Sequence, residues 1–236
     1  LSLVPPEILR YIIARSKINR HIEFDTGISL FQTADEYERL VSASSPDLEG
    51  MNKRQLVAHQ TQAGAIRFSQ VKTDSDPRES IGGVTFRHLS MLAQIKSSDD
   101  DVWSSLNRSG HIKGKPGSVL KIRLSRMRAW INGPHFPEES RIDIRSEISD
   151  ETKTMIGGLG VLFLNSLSSL LYDCEWSEEE ISAAISQACD NTGIQRKDGY
   201  SSVYLAMIGR AHGPKASALL FEMERSAVIS LFDCRE

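Results

Sequence analysis

The residues of this 236-residue chain whose types and spacing could do chemistry are few, and the strongest group is cationic rather than nucleophilic. A long acid-free interval, Val102 to Pro137, carries Arg108, Lys113, Lys115, Lys121, Arg123, Arg126 and Arg128, with Trp103, His111 and Trp130 among them. Clustered Lys and Arg attract phosphates at long range and gain affinity by releasing counterions, while neighbouring aromatic rings stack on unpaired bases. The net charge of −3 hides a segregation. Residues 1 to 101 hold 12 Lys/Arg and 14 Asp/Glu, the interval 7 and none, and residues 138 to 236 hold 9 and 17, so the balances are −2, +7 and −8. A plainer reading exists for the same residues. A helix from Ser118 to Trp130 would put Leu120, Leu124, Met127 and Ile131 on one face and leave the basic residues as its solvated side, with both tryptophans in the core. Arg210 to Lys215 is a second, smaller candidate because it joins basic residues to a helix start.

Nothing else in the chain builds a catalytic constellation. His21 lies near Glu23 and Asp25, a grouping common by chance, and His59, His88 and His212 read as structural or solvent-exposed. Gly157-Gly158-Leu159-Gly160 has no strand before it and no Lys-Ser/Thr after it, so it reads as close helix packing rather than a phosphate loop. The acid runs Asp99–Asp101 and Glu178–Glu180 follow Ser98 and Ser177. That is helix-start chemistry, an N-cap with acid against the positive helix end, and not calcium-loop spacing. Cys174, Cys189 and Cys234 are widely spaced with no CxxC, as expected of reduced structural thiols. No metal site and no catalytic residue is expected.

The elements that must position the basic interval are helices, because apolar residues recur at helical spacing and almost nothing alternates as a strand would. The fold class is all-α. Helices are predicted over 5–15, 33–45, 52–65, 84–96, 99–108, 118–131, 153–172, 178–191, 199–210 and 214–231. The second opens on a Thr33/Glu36 capping box, Ala65 to Val71 reads as helix despite its alternation, and Pro214 sits in the first turn of the last helix. Polar breaks fall at Asp74–Pro77, Ser80–Gly83, Gly110–Gly117 and Gly133–Pro137. The second-last of these is expected to be mobile. Apolar and charged contents of 40% and 25% suit a globular protein. The apolar run Met155–Tyr172, interrupted by Asn165, serines and glycines, reads as a buried helix rather than a membrane span. No signal peptide precedes the first helix, and a cytoplasmic fragment of a longer chain is expected.

The order of features from Pro5 onward carries a resemblance. Pro5-Pro6-Glu7-Ile8-Leu9-Arg10-Tyr11-Ile12-Ile13-Ala14-Arg15, His21-Ile22-Glu23-Phe24-Asp25 and Asp35-Glu36-Tyr37-Glu38-Arg39-Leu40 resemble a segment of the class I lysyl-tRNA synthetases just downstream of the catalytic KMSKS loop. Phe86-Arg87-His88-Leu89 within Val84–Ile95 is similar to that family's PFRHLALVAQI helix, and Gly199 to Phe232 to its C-terminal ending. Thr26 and Val84-Thr85 depart from the family's prolines, which affects turns. The resemblance implies the C-terminal portion of an enzyme that uses ATP to activate lysine and esterifies it to tRNA(Lys). It implies residues 1–48 as a stem-contact connection to an N-terminal catalytic domain and the remainder as a helical cage that receives the anticodon arm; the break at Gly133–Pro137, beyond which the composition turns acidic, divides that remainder into 49–137, a helical region with a basic face, and 138–236, a C-terminal helical subdomain. The HIGH and KMSKS elements are not in these residues, so no cofactor is expected here and the fragment alone should not activate lysine. The site residues expected to meet tRNA are Arg108, Lys113, Lys115, Lys121, Arg123, Arg126 and Arg128, with Trp103 or Trp130 stacking on a base. DNA and membrane are not expected partners. A glutamyl-type synthetase C-terminal half is disfavoured by the DEYERL and FRHL segments, while a helical protein-interaction module with a basic docking face remains open.

Overall fold

The computed structural model describes residues 4–17, 19–22, 24–43, 50–72 and 76–235. They form α1 (Pro6–Arg15), α2 (Ile28–Ser42), α3 (Lys53–Ser69), α4 (Phe86–Ile95), α5 (Asp99–Arg108), α6 (Ser118–Ile131), α7 (Asp150–Asp173), α8 (Glu178–Thr192), α9 (Arg196–Ile208), α10 (Ala216–Phe221) and α11 (Arg225–Phe232), with 3-10 turns at Pro77–Ser80 and Glu138–Ser140. No strand occurs among the described residues, and the all-α expectation holds. Tertiary contacts divide the chain into two units that meet in sequence between Arg141 and Ile142.

Local chemistry fixes most helix starts. The Ser98 hydroxyl accepts from the Asp101 amide while the Asp101 carboxylate accepts from the Ser98 amide, which is the reciprocal box foreseen for α5. Asn52 and Gln55 make the same pair at α3. Ser177 caps α8 through the Glu180 amide, and Thr85 caps α4 through the His88 amide at 3.3 Å. The departure from proline at Thr85 therefore supplies a cap.

In the first unit two of the segments that carried the resemblance, Asp35–Leu40 and Phe86–Leu89, meet. Both carboxylate oxygens of Glu38 on α2 accept from the Phe86 amide opening α4, at 2.8 and 3.0 Å. Arg123 of α6 donates to Glu38 at 2.9 Å and to the carbonyls of Val84 (2.6 Å) and Ile81. Asp35 pairs with Arg87 at 2.6 Å, and that guanidinium also lies over the Phe31 ring. Around this lock Phe31, Phe86, Trp130 and Phe136 form an aromatic cluster with ring centroids 4.8–5.7 Å apart between neighbours. The Trp130 indole donates to the Thr26 carbonyl at 2.8 Å, a group a proline there would also present.

The second unit is built differently. Its α7 runs against α8, α9 and α11, burying Phe163, Leu164, Leu167 and Leu171. A Cβ on Gly160 would stand 2.5 Å from Ile156 Cγ2 of the same helix and 2.7 Å from the Ser202 hydroxyl of α9, so a side chain there would force these neighbours to shift. Gly157, at φ 75°, kinks the helix. By length and composition α7 could cross a membrane, yet beyond the kink only residues 158 to 173 continue, 16 residues against the roughly 20 a straight span needs.

Several predicted boundaries are corrected. α2 begins at Ile28 because Asp25 gathers the turn, accepting from the Gly27 amide and the Ser29 hydroxyl. Thr33 is then inside the helix and donates to the Ser29 carbonyl, so it caps nothing. Glu36 turns instead to Tyr11 and Arg15 of α1. The predicted end of that helix at residue 45, the division at residue 48, Glu23 and Asp74 lie outside the described residues. The single helix predicted over 214–231 is two, α10 and α11. Breaking at Glu222–Glu224 lets α11 bury Val228 and Phe232, with the Ser168 hydroxyl of α7 donating to the Ile229 carbonyl. Pro214 stands outside both and accepts from the Tyr204 hydroxyl.

Candidate nucleic-acid interface

The basic interval is carried by α5, the loop 109–117 and α6, all in the first unit. Its cations do not share one fate. Arg123 is 5% exposed and lies on the buried face of α6, among Leu120, Leu124 and Met127. Burial pushes its guanidinium below its ordinary pKa against the pull of Glu38. Burial also raises the Glu38 carboxyl, opposed by Arg123 and the Phe86 amide. Trp130 is fully buried. Neither side chain can meet RNA, and both leave the set of expected contacts: a helix that must fit three others spends these groups on packing.

Arg128 is half-buried, pairs with Asp99 at 2.7 Å and also donates to the carbonyls of Ala93 and Lys96, where it ties α6 to the end of α4. What remains facing outward is Arg108, Lys113, Lys115 and Lys121, all exposed, with the half-buried Arg126 and Trp103. Lys113, Lys115, Lys121 and Arg126 make no ion pair with any described residue. Arg108 edges a shallow depression with Lys96, Ser104 and Ser105.

The loop bearing Lys113 and Lys115 is hydrogen-bonded back to α5. The Asn107 amide donates to the carbonyls of Trp103 and Gly114, both at 2.9 Å, and its oxygen accepts from the Gly114 amide at 2.7 Å. Gly114 has φ 79°, which a side chain would oppose. His111 stacks on His88 with centroids 4.5 Å apart, and its Nδ1 shares a hydrogen bond with Ser109. Asn107 and the two histidines are thus the positioning groups that sequence reasoning missed. An Asn seven residues before a Gly at the far side of a loop was the available signal.

The other candidates contribute less. Lys215 pairs with Glu178, and α10 is only six residues long, which gives the Arg210–Lys215 segment no helix-end anion site. His21 and Asp25 are exposed, with Asp25 held below its ordinary pKa by the Ser29 hydroxyl and the Gly27 amide, which is turn chemistry. No group of three metal-ligating side chains occurs among the described residues. Gly157 to Gly160 lie within α7, where Gly160 faces Ile156 and the Ser202 hydroxyl, as expected of close helix packing. Burial raises the thiols of Cys174, Cys189 and Cys234 and keeps them protonated.

No protein-family model matches the chain. Among curated proteins it is similar to the lysine–tRNA ligases of Picrophilus torridus, 26% identical over 235 residues, 98% of this chain and 43% of that protein, and of Thermoplasma acidophilum, 26% identical over 97% of this chain and 42% of that protein. The lysine–tRNA ligase of Methanopyrus kandleri is 24% identical over 91% of the chain and 38% of its own length. The chain therefore spans less than half the length of these relatives, and the similarity read from its motifs extends along nearly all of it.

Proposed function

We propose that this chain is the C-terminal, tRNA-binding portion of a class I lysine–tRNA ligase. The parent enzyme activates lysine with ATP in a catalytic domain N-terminal to these residues and esterifies it to tRNA(Lys) in the cytoplasm. What carries the reading is a single conjunction: a chain similar to lysine–tRNA ligases over 98% of its length that presents Arg108, Lys113, Lys115, Lys121 and Arg126 outward from one acid-free interval. In the proposed division residues 1–48 connect to the catalytic domain, 49–137 carry the basic face and 138–236 form the terminal helical subdomain. The five cations dock tRNA phosphates. Trp103 is the interval's tryptophan with an accessible edge for an unpaired anticodon base.

The test is equilibrium binding of the chain to tRNA(Lys), and to the same tRNA with its anticodon replaced, across a salt series. Three or four neutralised phosphates give a slope of log affinity against log salt of roughly −2 to −4. Lys113→Glu/Lys121→Glu/Arg126→Glu should weaken binding and reduce that slope by about 2 without unfolding the chain. Equal affinity of this variant and the parent chain would overturn the reading. Binding blind to the anticodon would restrict it to backbone docking. Capture of an acidic protein instead, with no tRNA binding, would favour the interaction-module reading.

A further inference from the structure

A second acid-free stretch, Gly50 to Thr73, has no Asp or Glu and carries Lys53, Arg54, Arg67 and Lys72. It forms α3, which packs chiefly on α1 and less on α2. Ala65 and Ser69 are its buried residues, and from Lys53 to Gly64 no residue is buried. A helix with so little of its surface buried gains little from a protein core and leaves a wide face open, on which Val57 is also 53% exposed. Its exposed residues are ordered. Lys53, Gln60 and Arg67 recur every seventh residue, and Arg54, Thr61 and Phe68 form a second row beside them, all six exposed. Seven residues advance about 10.5 Å along the axis with only about 20° of drift, so each row runs nearly straight, the two about 100° apart around the helix with the exposed Val57 between them. Lys53, Arg54 and Arg67 make no ion pair with any described residue. Phe68 is 67% exposed with the Arg67 guanidinium over its ring, 5.7 Å from the centroid, and its carbonyl accepts from Arg10.

We infer that this face of α3 is a second RNA-docking surface, in which the cation and amide rows follow a sugar–phosphate backbone and Phe68 offers its ring to an unpaired base. An acidic protein would account for the cations. It would not account for the alternation of Lys and Arg with neutral hydrogen-bonding side chains, nor for the exposed Arg-covered ring, which together suit phosphates, ribose hydroxyls and a base. The inference rests on the tRNA reading above and adds a contact that the basic interval does not supply.

The experiment compares the parent chain, Lys53→Glu/Arg54→Glu/Arg67→Glu and the interval triple variant for binding to tRNA(Lys) at several salt concentrations. Circular dichroism melts verify folding, which exposed substitutions should leave intact. The α3 variant is expected to bind at least about tenfold more weakly near 0.1 M salt, with its salt slope reduced by about 2. Phe68→Ala should weaken binding severalfold with the slope unchanged. An α3 variant that matches the parent in affinity and slope, while the interval variant loses both, overturns this inference alone. Both variants matching the parent overturns the tRNA reading, and with it this one.

Discussion

The two units spend their polar groups in opposite ways. The first, up to Arg141, holds α2, α4 and α6 together with a buried ion pair, Glu38 with Arg123, inside an aromatic cluster. The second buries Leu, Ala, Ile and Phe around α7 and obtains its closeness from Gly160 and Gly199, where an added Cβ would meet Ser202 or Cys189 at 2.7 Å. A buried pair specifies which partners meet, because either ion alone is costly. Aliphatic packing specifies by shape. The unit that carries the basic interval is also the one whose internal geometry depends on an arginine of that interval. A positive stretch of sequence is thus partly scaffold and partly surface.

The sharpest way to break the comparison is to remove one member of the ion pair. Arg123→Ala or Glu38→Ala should destabilise the first unit by about 3 to 5 kcal/mol, since each leaves a buried charge alone. Replacing the pair by Met and Leu together should recover much of that. Chemical denaturation of the singles and the double checks it, and additive single effects would show that the pair is not a unit.

Alkaline pH should weaken the first unit next. Burial, then the hydrogen bond to Glu36, pushes the Tyr11 phenol up to about 12 from its ordinary 10.0. As pH rises the unfolded chain loses this proton first, so the contribution is whole below about pH 10 and lost between about 10 and 12, up to roughly 2 to 3 kcal/mol. Tyr11→Phe should flatten that part of the stability profile, measured by urea melts at successive pH values.

A third substitution addresses shape. Gly160→Val should cost the second unit about 1 to 3 kcal/mol through overpacking against Ile156 and Ser202, and Ser202→Ala in the same chain should relieve the part due to Ser202. The smallest expected effect is that of Ser98→Ala, about 1 kcal/mol from the lost α5 cap, read as a shift in melting temperature. A null result there would mean that tertiary contacts of α5 outweigh its cap.

Sequence alone was enough wherever the cause was local or additive. The caps at Ser98 and Ser177, the continuation of α3 through Phe68, the all-helical character and the charge segregation follow from residues within a few positions of each other, or from counting. The DEYERL and FRHL segments were legible as a resemblance, but not as two sides of one lock. Only the tertiary structure decided which cations of the interval face solvent. Arg123 lies on the apolar stripe Leu120–Leu124–Met127, a hint of burial, yet an arginine can be buried only where an acid waits, and Glu38 is 85 positions away. The split into α10 and α11 has the same kind of cause, burial against α7 overriding local continuity. Periodicity reports which face a helix prefers; the partner that makes burial affordable is chosen by the fold.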